Sequence, residues 1–274
     1  MRWIVLLVSA LLAGAAPGPE SFRFVILGDR TGESQPGVYE QAWREAGGER
    51  PAFVVSVGDT IQGLDDARAE TEWRQVWRIV DAHRQIPFYP APGNHDIWSE
   101  VSERLYRKYA GHAPHYSFDY GTVHCTVLDN SRSEQFSTEE MAFLEKDLAA
   151  HKSQPVKLIV SHRPSWLMGV LLRNPDVPLH RLAKRYGVRY VIAGHVHQML
   201  RLELESVTYV SVASSGGHLR GSGRYEDGWF FGYTIGVVRG KDASLQIREL
   251  TKPNGQGRVS SPEEWGAGGL ATAK

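Results

Sequence analysis

Apolar residues along this chain recur with two spacings. Short runs rich in β-branched residues, bounded by glycine, histidine or proline, cover residues 22–27, 52–57, 156–161 and 189–193, and are expected as buried strands. Between them, residues 37–46, 67–83, 100–109, 138–151 and 179–186 carry apolar side chains at helical spacing. Trp73 and Trp77 fall on one face of the second helix and are expected in the core. Ser137 followed by Glu140 offers a capping box to the fourth. Later the pattern turns to hairpins: 116–118 with 123–128 across Gly121, 200–204 with 207–212, and 232–238 with 244–250. Helices covering both outer faces of two packed sheets would bury such strands, so an α/β sandwich is expected.

With 274 residues, the chain suits one large domain. Lysine plus arginine and aspartate plus glutamate both number 31, so no net charge draws it to nucleic acid or to an anionic membrane. The first residues read separately. An apolar run over residues 4–13, too short for the roughly 20 residues of a bilayer span, leads to Ala13-Gly14-Ala15, small residues at the spacing of a signal-peptidase site. Residues 1–15 are therefore expected as a signal peptide, with an uncleaved anchor as the alternative. The product is expected to be exported, periplasmic or extracellular, with no stable membrane span after cleavage. Residues 16–251 form the expected domain, and 252–274, rich in glycine, serine and proline, a flexible C-terminal tail. The single cysteine, Cys125, lies in an apolar run and is expected as a small buried residue rather than a nucleophile.

Candidate chemistry lies where polar residues follow the expected strands. Gly28-Asp29-Arg30-Thr31 follows the strand at 22–27, Gly58-Asp59-Thr60 that at 52–57, His162-Arg163 that at 156–161 and Gly194-His195-Val196-His197 that at 189–193. Gly93-Asn94-His95-Asp96 is expected after one further strand, between those at 52–57 and 156–161. The carboxyl edge of an α/β sheet is where ligands bind, because loops converge there on rigid strands. Taken singly, each aspartate reads as a turn former, Gly93-Asn94 as a turn and His162 as a hydrogen-bonded core histidine. Taken together, two carboxylates, an amide oxygen and three imidazoles make a ligand set for borderline divalent cations.

In this order, Gly-Asp, Gly-Asp, Gly-Asn-His-Asp, an apolar run ending in histidine, and Gly-His-x-His, the motifs resemble the calcineurin-like metallophosphoesterase superfamily over residues 22–250. The resemblance implies a four-layer αββα sandwich, two mixed sheets flanked by helices, with two divalent metal ions (manganese, iron, zinc or similar) at one edge. It implies Asp59 as the carboxylate bridging both ions, Asp29 and His197 on the first, and Asn94, His162 and His195 on the second. It implies hydrolysis of a small phosphomonoester or phosphodiester, with His95 protonating the leaving group. In much of the superfamily a histidine stands two residues after the first aspartate. Here that place is Thr31, so water, Thr31 or Gln62 must fill the gap and weaker binding of the first ion is expected.

Beside His95, Asp96 is expected to hold the imidazole by accepting from its other nitrogen. Arg30 and Arg163 neighbour proposed ligands and offer charge-assisted donors to phosphate, or outward salt bridges. His218, in a Ser-Ser-Gly-Gly-His loop, is a further candidate for substrate contact, and Trp98 and Trp166 are candidates for the pocket wall. The rival function is a binding scaffold of the same fold, for which Thr31 is the best support and the presence of His95 the best objection. A metallopeptidase fits less well, since no helical pair of histidines flanks a glutamate.

Overall fold

Residues 20–253, 257–260 and 264 are described by a computed structural model of the chain. In chain order the elements are β1 (Ser21–Leu27), α1 (Val38–Gly48), β2 (Val54–Ser56), α2 (Asp66–Asp81), β3 (Phe88–Pro90), α3 (Glu100–Ala110), β4 (Tyr116–Tyr120), β5 (Val123–Val127), α4 (Thr138–Ala150), β6 (Val156–Val160), α5 (Leu167–Leu171), α6 (Pro178–Arg185), β7 (Tyr190–Ala193), β8 (Leu200–Leu204), β9 (Val207–Ser211), β10 (Gly232–Arg239), β11 (Asp242–Glu249) and β12 (Val259–Ser260). They form two six-stranded sheets, ordered β12-β11-β10-β1-β2-β3 and β4-β5-β6-β7-β9-β8. Both sheets are mixed: β1, β2 and β3 run parallel, as do β5, β6, β7 and β9, while the outer hairpins are antiparallel.

The apolar runs explain the layering. In β1, Phe24 and Ile26 join the core between the sheets, whereas Val25 and Leu27 face the opposite way, against α1, α2 and α3. In the second sheet, Leu158 and Val160 point into the central core and Ile159 against the side chains of α4, α5 and α6. A strand covered on both faces has to be apolar at every position, which is why these segments lack alternation. Each large side chain so buried contributes about 1.5–3 kcal/mol relative to exposure. The result is the expected four-layer αββα sandwich.

Some elements depart from the expectations. Ser137 does accept from the Glu140 amide at 3.2 Å, but the Glu140 carboxylate turns away to the Asp129 amide and to His115, so the box is half made. A complete box closes α3 instead, between Ser99 and Ser102. The five-residue α5, with a glycine in its middle, is too short to show a period. Val259–Ser260 pairs with β11 within the segment read as a tail. Trp73 is fully buried and Trp77 half-buried against α3, as expected of a core face, and Cys125 is buried in the central core, where burial pushes its thiol up. The signal-peptide segment, residues 1–15, lies outside the described residues. Among the described residues no helix is long and apolar enough to cross a membrane.

Candidate active site

The loops that leave the carboxyl ends of β1, β2, β3, β6 and β7 meet at one edge, and the folding of the glycines decides how closely. Gly58 has φ +99°, and a Cβ there would stand 2.6 Å from the Gly93 amide nitrogen. At Gly93 a Cβ would stand 2.2 Å from the Asp59 carboxylate. The second and third loops therefore touch through backbone, which no larger residue permits. Asp59, His195 and His197 themselves hold φ of 53°, 68° and 61°. Each such left-handed residue costs roughly 1–3 kcal/mol, and strain of that kind collects where a side chain must be aimed.

Two groups of ligand atoms result, each gathered within 4.8 Å: Asp29, Asp59 and His197 in one, Asp59, His162 and His195 in the other. Asp59 belongs to both. Around His162, Nδ1 donates to the Val57 carbonyl at 2.9 Å, which turns Nε2 inward. That nitrogen lies 2.9 Å from Asn94 Oδ1, 3.1 Å from His195 Nδ1 and 3.3 Å from Asp59 Oδ1. Around His197, Nδ1 donates to the His218 carbonyl at 2.7 Å, and Nε2 faces Asp29 Oδ1 at 3.8 Å. His197 Nε2 and Asp29 Oδ2 are both buried without a hydrogen-bond partner. Buried acceptors left facing one another are costly, and a cation is the partner that satisfies several at once. The donor set, three imidazoles, two carboxylates and an amide oxygen, thus fits divalent metal ions by its chemistry and by these unmatched atoms.

The electrostatics agree. Burial works against a charged His162, yet the carboxylates of Asp59 and Asp29 overcome it and push the ring up to about 9. Burial, with His162 and Arg163 close by, pushes His195 down to about 3. Burial tends to raise Asp59, but His162 outweighs it and holds the carboxyl well below the usual range. Asp29 goes the other way, raised by burial.

His95 is half-buried at the rim, its amide donating to Asp59 Oδ1 at 3.0 Å and its Nδ1 set against the Gln62 carbonyl. The expected pairing of its ring with Asp96 is not present. Asp96 is fully buried and accepts the amides of Thr60 at 2.9 Å and Ile61 at 3.2 Å through Oδ1, and of Gly93 at 2.9 Å through Oδ2. It ties the second loop to the third and leaves the orientation of His95 to Gln62. Burial, then the charge of Asp59, push the Asp96 carboxyl up to about 7 against those amides.

The remaining candidates divide. Arg163 brings Nη1 within 3.4 Å of His195 Nε2 and also pairs with the exposed Glu134. Arg30 donates to the Thr60 carbonyl at 3.3 Å and lies over the Tyr39 ring. The His218 side chain is exposed, and it is the main-chain carbonyl of that residue that touches His197. Thr31 is fully buried and donates its hydroxyl to Gln62 Oε1. Trp98 packs half-buried beside Gly63, but Trp166 is fully buried against Tyr209 in the outer core of the second sheet and lines a separate cleft, with Phe136, Met141 and Val177, that includes none of the ligand residues.

Asn130 was not among the expected residues. Its Oδ1 accepts the amides of His162 at 3.1 Å and Arg163 at 3.0 Å, and its Nδ2 donates to the Arg163 carbonyl at 2.8 Å. A signal existed, since Asp129-Asn130 follows an apolar strand just as the other motifs do. Ser215, likewise unforeseen, accepts the Gly28 amide at 2.8 Å and donates to the Gly232 carbonyl at 2.8 Å, anchoring the loop of Asp29.

Comparison with known proteins follows the same lines. The model of the calcineurin-like phosphoesterase family matches residues 22–199. Tartrate-resistant acid phosphatase type 5 of Mus musculus is 27% identical over an alignment covering 82% of this chain and 81% of that protein. The 3',5'-cyclic adenosine monophosphate phosphodiesterase of Escherichia coli (strain K12) is 27% identical over 55% of this chain and 56% of its own length. Among solved structures, a purple acid phosphatase from yellow lupin (Lupinus luteus) seeds superposes with a TM-score of 0.67 at 19% identity over 90% of this chain. This chain spans about half of that protein, 54% of its length. The anchor in the inner membrane complex of Plasmodium superposes with a TM-score of 0.61 at 16% identity, covering 93% of this chain and 91% of that one.

Proposed function

The chain belongs to the calcineurin-like phosphoesterase family and is a phosphoric ester hydrolase, and from that footing we propose that it cleaves small phosphomonoesters or phosphodiesters with two divalent ions sharing Asp59. The observation that carries this reading is the presence of Asp59 in both groups of converging ligand atoms. Asp29 and His197 would hold the first ion with it, and Asn94, His162 and His195 the second. When bound, such ions acidify a water and offset the charge on the phosphoryl oxygens.

The chain's own residues do the rest. Gln62, by accepting from His95 Nδ1, fixes the ring and leaves Nε2 as the nitrogen that delivers a proton to the departing oxygen. Asp96 acts one step back, by holding the loops of Asp59 and Asn94 together. Arg163 offers guanidinium donors beside His195, so an incoming phosphoryl group competes with Glu134 for them. Arg30 and His218 border the same edge, Arg30 tied to the Asp59 loop and His218 to His197. The apolar run at residues 4–13 followed by Ala13-Gly14-Ala15 supports the reading of an exported enzyme.

Hydrolysis of 4-nitrophenyl phosphate by purified protein, measured after chelator treatment and again after adding manganese, tests the proposal. Turnover that vanishes with the chelator and returns with manganese is expected. No turnover at any metal loading would leave the scaffold reading in its place.

A further inference from the structure

A second histidine-carboxylate cluster lies at the other end of the second sheet. His124 is the second residue of β5, so it sits at the amino end of that strand, whereas the catalytic loops leave the carboxyl ends. Asp119 stands directly opposite it in the β4–β5 register. Over them lies α4, which buries Leu144 and Leu148 in the apolar layer but also brings Asp147 and, one turn on, His151 to the same place.

In this cluster one nitrogen of each histidine is already committed. His124 Nε2 donates to Asp147 Oδ2 at 2.9 Å, and His151 Nδ1 donates to the Asp147 main-chain carbonyl at 2.8 Å. Asp147 in turn accepts the hydroxyls of Thr126 at 2.6 Å and Ser117 at 2.8 Å. This arrangement, with the outer nitrogen of each ring held by an acceptor, is how proteins fix the tautomer and aim of a metal-ligating histidine. The inner nitrogens then converge on one carboxylate: His124 Nδ1 lies 2.8 Å from Asp119 Oδ1, and His151 Nε2 3.9 Å from Asp119 Oδ2. A ligand atom from each of the three residues falls within a common 4.8 Å.

A buried histidine between two aspartates needs no metal to explain it. His151 is what goes beyond that account. Its ring stacks on His124 at a centroid distance of 3.8 Å, and its remaining nitrogen turns to a carboxylate that His124 already uses. We propose that Asp119, His124 and His151 form a structural site for one zinc-like divalent ion, separate from the catalytic edge, that clips the β4–β5 hairpin to the end of α4. Two imidazoles and a carboxylate are a borderline-cation set, and water completes four-coordination. The site is reachable, since the side chains of Asp119 and His151 are 45% and 31% exposed over a fully buried His124. Ligation requires the stacked rings to tilt apart, and it replaces the proton shared between His124 and Asp119, which is released to solvent.

The test counts zinc bound per chain after equilibrium dialysis of wild type, Asp119→Asn and His151→Gln. Each variant is expected to bind one ion fewer than wild type and to keep 4-nitrophenyl phosphate turnover within about two-fold. Counts equal to wild type overturn the site, whatever happens to turnover. A measurement on unaltered protein guards against misfolded variants: acylation of His151 by diethyl pyrocarbonate, followed by mass spectrometry, is expected to fall at least about ten-fold when zinc is present. Modification at the same rate with and without zinc overturns the proposal equally.

Discussion

The two halves of the catalytic edge share Asp59 but differ in what satisfies them before any ion arrives. Around His162 a single proton does the work, because Nε2 is surrounded by Asn94 Oδ1, His195 Nδ1 and Asp59 Oδ1 at 2.9–3.3 Å and the ring is pushed up to about 9. Around His197 nothing plays that part, and Asp29 Oδ2 and His197 Nε2 stay buried and unpaired. One half holds an internal stand-in for a cation and the other holds only its acceptors. The contrast shows how a site can be assembled in advance of its metal and yet carry the cost of assembly unevenly.

The strongest way to break this comparison is at the shared residue. Asp59→Asn is expected to lose at least about a thousand-fold in kcat/KM and to lose both catalytic ions, as read by metal analysis. Loss of only one ion would show that the halves are independent. His95→Ala is expected to lower kcat by about a hundred-fold on an alkyl phosphate, less on 4-nitrophenyl phosphate whose leaving group needs no proton, with metal content unchanged. Equal losses on the two substrates would remove His95 from the proton-donor role.

The next effects are on stability and have opposite signs in the two halves. In metal-free protein Asp29→Asn swaps an orphaned oxygen for an amide that can donate to His197, so urea denaturation should show a gain of about 1–3 kcal/mol even as activity falls. His162→Ala should cost about 1–3 kcal/mol in the same buffer, since it strips Asn94 and Asp59 of their proton donor. Matching signs would contradict the uneven cost. The smallest effect expected is from Thr31→His, which supplies a nitrogen where the proposed first ion would have only Asp29, Asp59 and His197 as protein ligands. Titration calorimetry should show that ion held roughly ten-fold more tightly, with the second unaffected.

Much of this molecule was legible from residue pattern alone, and the illegible parts share a cause. Uninterrupted apolar runs such as Phe24–Leu27 announced strands covered on both faces, and the polar residues following them announced the edge where Asp29, Asp59, Asn94, His162, His195 and His197 assemble. Pattern does not report where a loop folds back. Asp96, adjacent to His95, spends its carboxylate on amides of the neighbouring loop rather than on that ring, and Gln62, 33 residues away, takes the ring instead. Trp166 follows the His162 motif closely but turns inward, because the short α5 that begins after it packs on the second sheet. Asn130 occupies the equivalent position past β5, but a single amide after a strand resembles any turn. The left-handed backbone of Asp59, His195 and His197 falls on residue types that adopt it more readily than most, but far less often than glycine, so type alone does not single these positions out.

The bridging role of Asp59 is tested most directly by electron paramagnetic resonance of protein loaded with two equivalents of manganese. One carboxylate joining two ions predicts an exchange-coupled pair, with multiline hyperfine splitting at about half the spacing of a lone manganese ion and loss of that signal in Asp59→Asn. Two independent six-line spectra in the wild type, unchanged by the substitution, would contradict it.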